Sequence, residues 1–287
     1  MALNLKTLAT RSTSAVFFVI ILVSCIYYSY LSLFFLFFIV AAIALHEYYL
    51  LAEKLHASPH KIIGHVFSVL LFVYFSLESL ISFITFDLVF VKSILLSLLF
   101  LLPFVLLVLA LFSTSASALL NAKHTLFGIL YAVFPFALLV TIPVTVSNGV
   151  LDYNYFKVLG IIFLIWSNDT FAYIGGSLFG KHKMYERVSP GKTWEGTLIG
   201  VLITIAVGFL LNFNGTYSHN FVWPCLALIV SVLGTIGDLV ESMIKRMAGV
   251  KDSGKLMPGH GGALDRFDSL LFVSPFIYAF LNVLNTH

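Results

Sequence analysis

Residues 237–268 read GDLVESMIKRMAGVKDSGKLMPGHGGALDRFD and form a polar segment between two long apolar runs. This segment holds 10 of the 29 charged residues (Lys, Arg, Asp and Glu) of the chain. A second polar segment, residues 166–196, carries much of the remaining charge, and together the two segments hold more than half of it. We therefore expect the chemistry of the protein to take place in these two segments.

The composition predicts a membrane protein. The chain is 60% hydrophobic and 10% charged, with a mean hydropathy of +1.02, whereas soluble domains carry about 25% charged residues. We therefore predict an all-α, polytopic integral membrane protein. Cys25 and Cys225 both lie in apolar runs, which argues against a disulfide framework and against a CxxC metal site. Lys6 and Arg11 precede an apolar stretch without a small-residue cleavage site, so we predict a retained helix rather than a cleaved signal peptide.

The apolar runs predict nine transmembrane helices, because crossing about 30 Å takes roughly 20 apolar residues at about 1.5 Å each. The first run is too long for one helix, and its Tyr27-Tyr28-Ser29-Tyr30 cluster indicates a turn, since Tyr favours the membrane interface. Residues 1–150 then form an N-terminal region with helices 1–5, and residues 151–287 carry helices 6–9 and both polar segments. The predicted helices span residues 12–28, 30–52, 62–84, 88–112, 125–147, 157–179, 195–213, 221–244 and 267–285.

The basic residues predict an orientation. With the N-terminus in the cytoplasm, 14 of the 16 Lys and Arg residues lie in cytoplasmic segments, while Lys92 and Lys157 lie on the far side. The positive-inside rule predicts such an excess for a correct topology. Both polar segments then face the cytoplasm, at the inner membrane in a bacterium, and the C-terminus does not. Glu47 and Glu53, near the cytoplasmic end of the second predicted helix, are interpreted as interfacial residues.

The segment 237–268 changes from a helical pattern to a loop. Its first four polar positions recur at i, i+3, i+4 and i+7, so they share one face of a helix; they are Asp238, Glu241, Ser242 and Lys245. Residues 251–262 contain four glycines and a proline. We predict that they form a loop rich in exposed backbone N–H groups.

Asp265 and Asp268 open the last predicted helix, one turn apart. One interpretation is that acidic residues in a first helical turn are favourable with the helix macrodipole. The other is that Asp238, Asp265 and Asp268 converge on a divalent cation. Hard cations such as Mg²⁺ take carboxylate oxygens and complete their shell with substrate phosphates.

The segment 166–196 combines an acidic residue inside a predicted helix with a basic loop. Asp169 lies near the middle of its apolar run, where a carboxylate costs at least ~2.5–3.5 kcal/mol on insertion scales. It is therefore either a functional residue or a structural hydrogen-bonding partner of a neighbouring helix. In the loop, Thr193 and Glu195 are typical of an N-cap and a first helical turn. The basic residues suit an anionic ligand, with attraction to anionic lipid as the alternative; they are Lys181, Lys183, Arg187 and Lys192.

Four pieces of residues 242–268 have types and spacings that resemble the signature of the phosphatidate cytidylyltransferase family, also called CDP-diacylglycerol synthases. The match covers 27 residues, and Met257 and Ala263 depart from the usual residues while remaining apolar. Residues 168–173 and 189–196 also look like this family, whereas the first five predicted helices are generic. The four pieces, separated by four, three and two residues, are Ser242-Met-Ile-Lys245-Arg246, Lys251-Asp252-Ser-Gly254, Pro258-Gly-His260-Gly261-Gly262 and Asp265-Arg266-Phe-Asp268.

The resemblance implies a reaction and a site. The phosphate of phosphatidic acid would attack the α-phosphorus of CTP, releasing pyrophosphate and leaving CDP-diacylglycerol. Asp238, Asp265 and Asp268 would be the metal ligands, for Mg²⁺ with a second cation left open, and Lys251 would join them in the catalytic set. Backbone N–H groups of the PGHGG stretch would cradle the triphosphate. The implied substrate-binding residues are Asn168, Asp169, Lys192, Ser242, Lys245, Arg246, His260, Gly261, Gly262 and Arg266.

The implied partners are CTP, phosphatidic acid and membrane lipid; a homodimer is left open, and no nucleic-acid partner is expected. Two other functions remain as alternatives. A CTP-dependent polyprenol or lipid kinase also uses CTP and a membrane-embedded acceptor. A cation-coupled secondary transporter also places carboxylates within broken helices, although the polar segments here lie on one side in the predicted topology. The long match over residues 251–268 favours the cytidylyltransferase.

Overall fold

The computed structural model describes residues 5–80, 88–147, 150–254, 256 and 261–285. These residues confirm the predicted all-α class, and they add two short antiparallel hairpins that we did not predict. The strands are β1 (Val144–Ser147) with β2 (Val150–Tyr153), and β3 (Lys183–Tyr185) with β4 (Ser189–Thr193). The helices are α1 (Leu5–Tyr28), α2 (Tyr30–Lys54), α3 (Lys61–Leu80), α4 (Leu88–Leu111), α5 (Ala118–Gly128), α6 (Phe134–Leu139), α7 (Tyr155–Phe179), α8 (Trp194–Leu211), α9 (Val222–Met247) and α10 (Ala263–Asn285).

Eight helical segments of the described chain are long and apolar enough to cross a membrane. One of them, Ala118–Leu139, combines α5 and α6 with the π-helical turn Ile129–Val133 between them. The apolar part of α1, Ser12–Tyr28, is shorter than the other eight segments. The predicted membrane character is therefore confirmed, while the count of nine spans stays a prediction.

The break between α1 and α2 lies where the tyrosine cluster predicted it. Ser29 is the N-cap of α2, and its side chain accepts a hydrogen bond from the Ser32 backbone N–H at 3.1 Å. In return, the Ser29 backbone N–H donates to Ser32 Oγ at 3.1 Å. This capping box satisfies two amides at the break, which is why a helix can restart after a single residue.

The predicted helix over residues 125–147 is wrong at both ends. The structure places the helical segment at Ala118–Leu139, followed by the hairpin of β1 and β2. Thr141 Oγ1 donates to the Leu138 carbonyl at 2.7 Å near the helix end, and Pro143 has no N–H with which to continue a helix. Asn148-Gly149 in the sequence, between β-branched runs, is a pair typical of hairpin turns and could have predicted the strands.

The chain divides into two compact units, while the predicted division into regions 1–150 and 151–287 stays a prediction. The first unit contains Met1–Tyr153 and Met247–Arg266, and the second contains Asn154–Arg246 and Phe267–His287. The first residues of α10, up to Arg266, thus belong to the first unit, together with the loop that precedes them. From Phe267 onward, α10 belongs to the second unit.

The core of the first unit is aromatic. Tyr49 is fully buried, and its hydroxyl donates to the Thr125 carbonyl at 3.0 Å. Phe37 stacks on Phe136 with ring centroids 5.5 Å apart. These contacts join α2 to the α5–α6 segment, so one face of α2 is buried in the core of the first unit.

The second unit packs α7 against α8 through small residues. A Cβ added at Gly196 would lie 2.7 Å from the Gly176 Cα, so the two backbones touch where these glycines meet. This close approach holds the start of α8, and with it the end of the β3–β4 hairpin, against α7.

Candidate active site

Three carboxylates of the second unit converge at the facing ends of α9 and α10. Asp238 and Glu241 lie one turn apart on α9, and Asp268 lies on α10. One ligand atom from each carboxylate lies within 4.8 Å of the others. We call Asp238, Glu241 and Asp268 the acidic group. Glu241 is 1% exposed, and the other two residues are half-buried.

Gly237 explains how α10 comes close enough to α9. A Cβ at position 237 would lie 2.5 Å from the Phe272 Cβ and 3.0 Å from the Asp268 carbonyl oxygen. Any larger residue would therefore push the two helices apart. Ser269 Oγ also donates to the Gly234 carbonyl at 3.2 Å across the same interface. The small residues in the sequence before Asp238 thus bring Asp268 to the acidic group.

Lys192 brings a positive charge to the acidic group. Its Nζ lies 2.5 Å from Asp238 Oδ2 and donates to the Thr235 carbonyl at 3.3 Å. Lys192 is on β4, and the next residue, Thr193, is the N-cap of α8, as predicted: its side chain accepts from the Gly196 N–H at 3.3 Å. The cap fixes the end of β4, the strand that carries Lys192.

The β3–β4 hairpin is anchored at its base by Glu195. The carboxylate of Glu195 accepts hydrogen bonds from the backbone N–H groups of Lys181 at 3.1 Å and His182 at 3.2 Å. It also contacts His182 Nδ1 at 2.5 Å. The basic loop after α7 is therefore folded back onto the start of α8, rather than extended into solvent.

A cavity of about 590 Å³ lies beside Lys192 and Asp238 in the second unit. Its volume and its few polar groups are those expected of a small-molecule site. Four sequence-predicted site residues line it, namely Asn168, Asp169, Lys192 and Asp238, and they come from α7, β4 and α9. The cavity is lined by Asn168, Asp169, Ala172, Tyr173, Gly176, Ser177, Ser189, Gly191, Lys192, Thr193, Thr197, Thr235 and Asp238.

Two other predicted substrate-binding residues contact the acidic group. Ser242 Oγ donates to Asp238 Oδ1 at 3.3 Å. Lys245 Nζ lies 2.5 Å from Glu241 Oε2, and Lys245 is 9% exposed. Both side chains therefore orient carboxylates. Arg246, the next residue, is exposed at the end of α9.

Asp265 is not a member of the acidic group, which contains Glu241 in its place. In the first unit, Asp265 Oδ2 accepts from the Ser253 N–H and Oγ, both at 2.8 Å, and from the Gly262 N–H at 2.7 Å. The reason is local: α10 begins at Ala263, so Asp265 is in the first turn and reaches back to the amides that precede the helix. The predicted metal-ligand set of Asp238, Asp265 and Asp268, and with it a ligand role of Asp265, stays a prediction.

The use of the glycine-rich loop as a phosphate cradle stays a prediction, and the structure describes only part of that loop. The Gly262 N–H donates to Asp265, and Gly261 has a φ of +83°, a left-handed conformation that favours glycine. Lys251 and Arg266 are exposed in the same unit. His260 lies outside the described residues.

Glu241 and Glu47 are the functional candidates that the sequence reasoning missed. Glu241 shares a helix face with Asp238, so its i+3 spacing could have identified it. Glu47 was interpreted as interfacial, but it is 5% exposed and accepts hydrogen bonds from residues more than 200 positions later in the chain. No local pattern predicts a contact of that sequence separation.

The donor chemistry of the acidic group fits a hard divalent cation. Its ligands are all carboxylate oxygens. Lys192 pairs with Asp238 and Lys245 pairs with Glu241, whereas Asp268 is in no ion pair among the described residues. Oxygen ligands of Mg²⁺ lie about 2.0–2.1 Å from the ion, hence at most about 4.2 Å apart. The 4.8 Å spread of the carboxylate oxygens needs only small side-chain rotations to reach that spacing.

The chain is similar to known proteins. A model of the cytidylyltransferase family matches residues 9–284. The phosphatidate cytidylyltransferase of Staphylococcus haemolyticus is 46% identical over 122 residues, which cover 42% of this chain and 46% of the relative. Those of Staphylococcus epidermidis (strain ATCC 12228) and Staphylococcus aureus (strain COL) are 45% identical over 121 and 122 residues, with the same coverage of both chains. The aligned part of this chain therefore spans about half the length of these relatives.

Proposed function

This chain belongs to the cytidylyltransferase family, and on that premise we propose that it transfers a cytidylyl group from CTP to phosphatidic acid, giving CDP-diacylglycerol and pyrophosphate. The observation that carries this proposal is the acidic group beside Lys192, on a polar cavity within apolar helices. Such a site can serve one soluble polyanion and one lipid polyanion. The names of the staphylococcal relatives support the same substrates.

In the proposed reaction, an oxygen of the phosphatidic acid phosphate forms a bond to the α-phosphorus of CTP. The bond from that phosphorus to the bridging oxygen breaks, and the electron pair leaves with pyrophosphate. Both reactants are anions, so the protein must bring them together and offset their charge. Lys192 lines the cavity and is held by Asp238, so its ammonium group is oriented before a phosphate arrives.

We further propose that Asp238, Glu241 and Asp268 hold Mg²⁺. When bound, the ion would neutralise phosphate oxygens and stabilise charge on the attacking and leaving groups. Lys245 and Ser242 keep two of these carboxylates in place through the contacts described above. Asn168 and Asp169, on α7, give the cavity polar groups near the middle of an apolar helix, where they can orient a bound substrate.

The reaction is tested by following two labels separately. Purified protein in lipid vesicles with phosphatidic acid is given CTP labelled either at the α- or at the γ-phosphate. We expect the α-label, and not the γ-label, to enter the lipid phase, and we expect EDTA to stop incorporation and added Mg²⁺ to restore it. Transfer of the γ-label to a polyprenol acceptor would instead support the kinase alternative, and neither label entering lipid would reject the proposal.

The side of the membrane on which the site lies is part of this proposal. The excess of basic residues supports a cytoplasmic position for both polar loops, where CTP is available. In a background with Cys25 and Cys225 replaced by Ser, single cysteines at positions 183 and 287 can be labelled from one side at a time. We expect position 183 to react from the cytoplasm and position 287 from the other side; labelling of both from one side would show that the predicted topology is wrong.

A further inference from the structure

Glu47 is a buried carboxylate of the first unit to which neither the proposed reaction nor the motifs give a role. It lies on α2, within a helix apolar enough to cross a membrane, and is 5% exposed. A carboxylate in such surroundings is costly unless hydrogen bonds compensate it. Its partners therefore indicate what it does.

The partners of Glu47 are the first amides of α10. Glu47 Oε1 accepts from the Ala263 N–H at 3.0 Å, and Oε2 accepts from the Leu264 N–H at 2.9 Å. These are the first two residues of the helix, whose N–H groups have no partner within the helix itself. An N-cap side chain normally satisfies such amides. Here the N-cap position is Gly262, which has no side chain, and Glu47 from another helix supplies the acceptors instead.

Ser253 and Asp265 complete the arrangement. Ser253 Oγ lies 3.1 Å from Glu47 Oε2 and 2.8 Å from Asp265 Oδ2. Asp265 accepts from the Gly262 N–H, which is the reciprocal half of a capping box. We call Glu47, Ser253 and Asp265 the capping cluster. It binds three consecutive amides, at residues 262, 263 and 264, and ties the preceding loop to them.

The glycines of the loop fit this cluster. A Cβ at Gly254 or at Gly262 would overlap the Glu47 carboxylate, and a Cβ at Gly261 would lie 2.5 Å from Asp265 Oδ2. These glycines allow two carboxylates to approach the backbone closely. Gly254 of the KDSG piece, and Gly261 and Gly262 of the next piece, thus lie against side chains of the protein itself.

We propose that Glu47 is a positioning residue for the cytidylyl transfer: it fixes where α10 begins and thereby places Asp268, one turn after Leu264, in the acidic group. The expected effect of Glu47 on turnover rests on the proposed function, whereas its role at the start of α10 does not. The start of α10 then depends on a carboxylate of α2, although the sequence of that helix carries no catalytic motif.

The first test replaces Glu47 with Gln, with Glu53→Gln as the matched control. Gln has one acceptor oxygen and one NH₂ group, so it can satisfy only one of the two amides. Glu53 is on the same helix but pairs with Lys61 at the surface, at 2.7 Å. In Glu47→Gln we expect faster hydrogen exchange at residues 262–265 and a kcat, per folded molecule, lower by about tenfold or more, with the KM for CTP changed much less. Glu53→Gln should match the wild type in both measurements.

The second test examines the close approach of the Gly254 backbone to the Glu47 carboxylate. Gly254→Ala should lower thermal stability and turnover in the wild type, because its Cβ meets the Glu47 carboxylate. In a Glu47→Ala background that carboxylate is absent, so the same change should cost much less; such non-additivity is the signature of direct contact. An equal cost of Gly254→Ala in both backgrounds would overturn the proposed geometry.

The outcomes separate this inference from the proposed function. Wild-type turnover with unchanged kcat in folded Glu47→Gln would overturn the positioning role, as would unchanged hydrogen exchange at residues 262–265. If the wild type transfers no cytidylyl group, the proposed function fails. The exchange experiment and the Gly254 comparison then still decide whether Glu47 holds the start of α10.

Discussion

The acidic group and the capping cluster are both built from carboxylates, but their oxygens have different surroundings. In the capping cluster, Glu47 and Asp265 accept hydrogen bonds from backbone N–H groups and from Ser253. In the acidic group, three carboxylates face one another and are accompanied by Lys192 and Lys245. Asp268 has no ion pair among the residues that the structure describes. The first arrangement compensates its charges with backbone and hydroxyl donors, while the second pairs two of its three carboxylates with ammonium groups.

This difference teaches that residues adjacent in a motif can have unlike roles. Asp265 and Asp268 are three residues apart in the stretch DRFD and would be read as one pair. Asp265 lies in the first turn of α10, where free amides are within reach, so it serves the backbone. Asp268 lies one turn further, where, among the described residues, its Oδ1 accepts only from the adjacent Ser269 N–H, at 2.6 Å, and its carboxylate joins Asp238 in the acidic group.

The largest expected effect separates these two aspartates. We expect Asp268→Asn to reduce turnover by more than roughly 100-fold, with thermal stability retained. Loss of a residue that only hydrogen-bonds to a metal ligand costs up to about 100-fold, and loss of a ligand should cost more. Asn keeps the shape of the side chain but removes the charge that the cation requires. Turnover and melting temperature, measured on the same sample, check this.

Asp265→Asn is the matched variant. If Asp265 is both a ligand, as the sequence predicts, and a cap, as the structure shows, the variant should lose turnover and also about 1–2 kcal/mol of stability. Loss of stability with most turnover retained would restrict Asp265 to capping. Near-normal turnover in Asp268→Asn would contradict the assignment of the acidic group itself.

A smaller effect is expected at Lys192. Hydrogen bonds to charged groups are worth ~1.5–3 kcal/mol, so Lys192→Ala should lower kcat/KM for CTP by roughly 10- to 100-fold. Lys183→Ala, on the same hairpin but exposed and not lining the cavity, is the control. Equal kinetics in the two variants would mean that Lys192 compensates Asp238 without contacting substrate.

The helix contact behind the acidic group can be tested through its glycines. Gly237→Ala should destabilise the protein by ~1–3 kcal/mol, because the added methyl group meets Phe272, and it should move Asp268 away from Asp238 and lower turnover. Gly234→Ala, one turn earlier, is the control, since its Cβ would lie 3.5 Å from the Ser269 Cβ, an ordinary contact distance. If both variants behave alike, close packing at Gly237 is not what brings the acidic group together.

The smallest expected effect is at Thr193. Thr193→Ala removes the N-cap of α8 and should cost about 1 kcal/mol of stability. Because the Thr193 hydroxyl accepts from the Gly196 N–H and is not part of the acidic group, the Mg²⁺ concentration for half-maximal activity should stay unchanged. A shifted Mg²⁺ dependence would show that the cap also positions Lys192.

The sequence by itself determined the features that depend on local composition and short spacing. Hydropathy predicted an all-α membrane protein, Ser29 and Thr193 were placed at helix starts, and the motif from Ser242 to Asp268 identified the family that the comparison later supported. These features follow from neighbours along the chain. The hairpin at residues 144–153 also had a local signal, in Asn148-Gly149, which the apolar run concealed.

Only the tertiary structure decided which carboxylates share a site. Glu241 joins Asp238 and Asp268 because Gly237 lets α10 approach α9, and Lys192 arrives from a hairpin more than 40 residues earlier. Glu47 caps a helix that begins 216 residues later. Contacts of this separation depend on how helices pack, and packing depends on the shapes of many side chains at once. A one-dimensional pattern therefore located the chemistry, but it could not assign each acid to its partners.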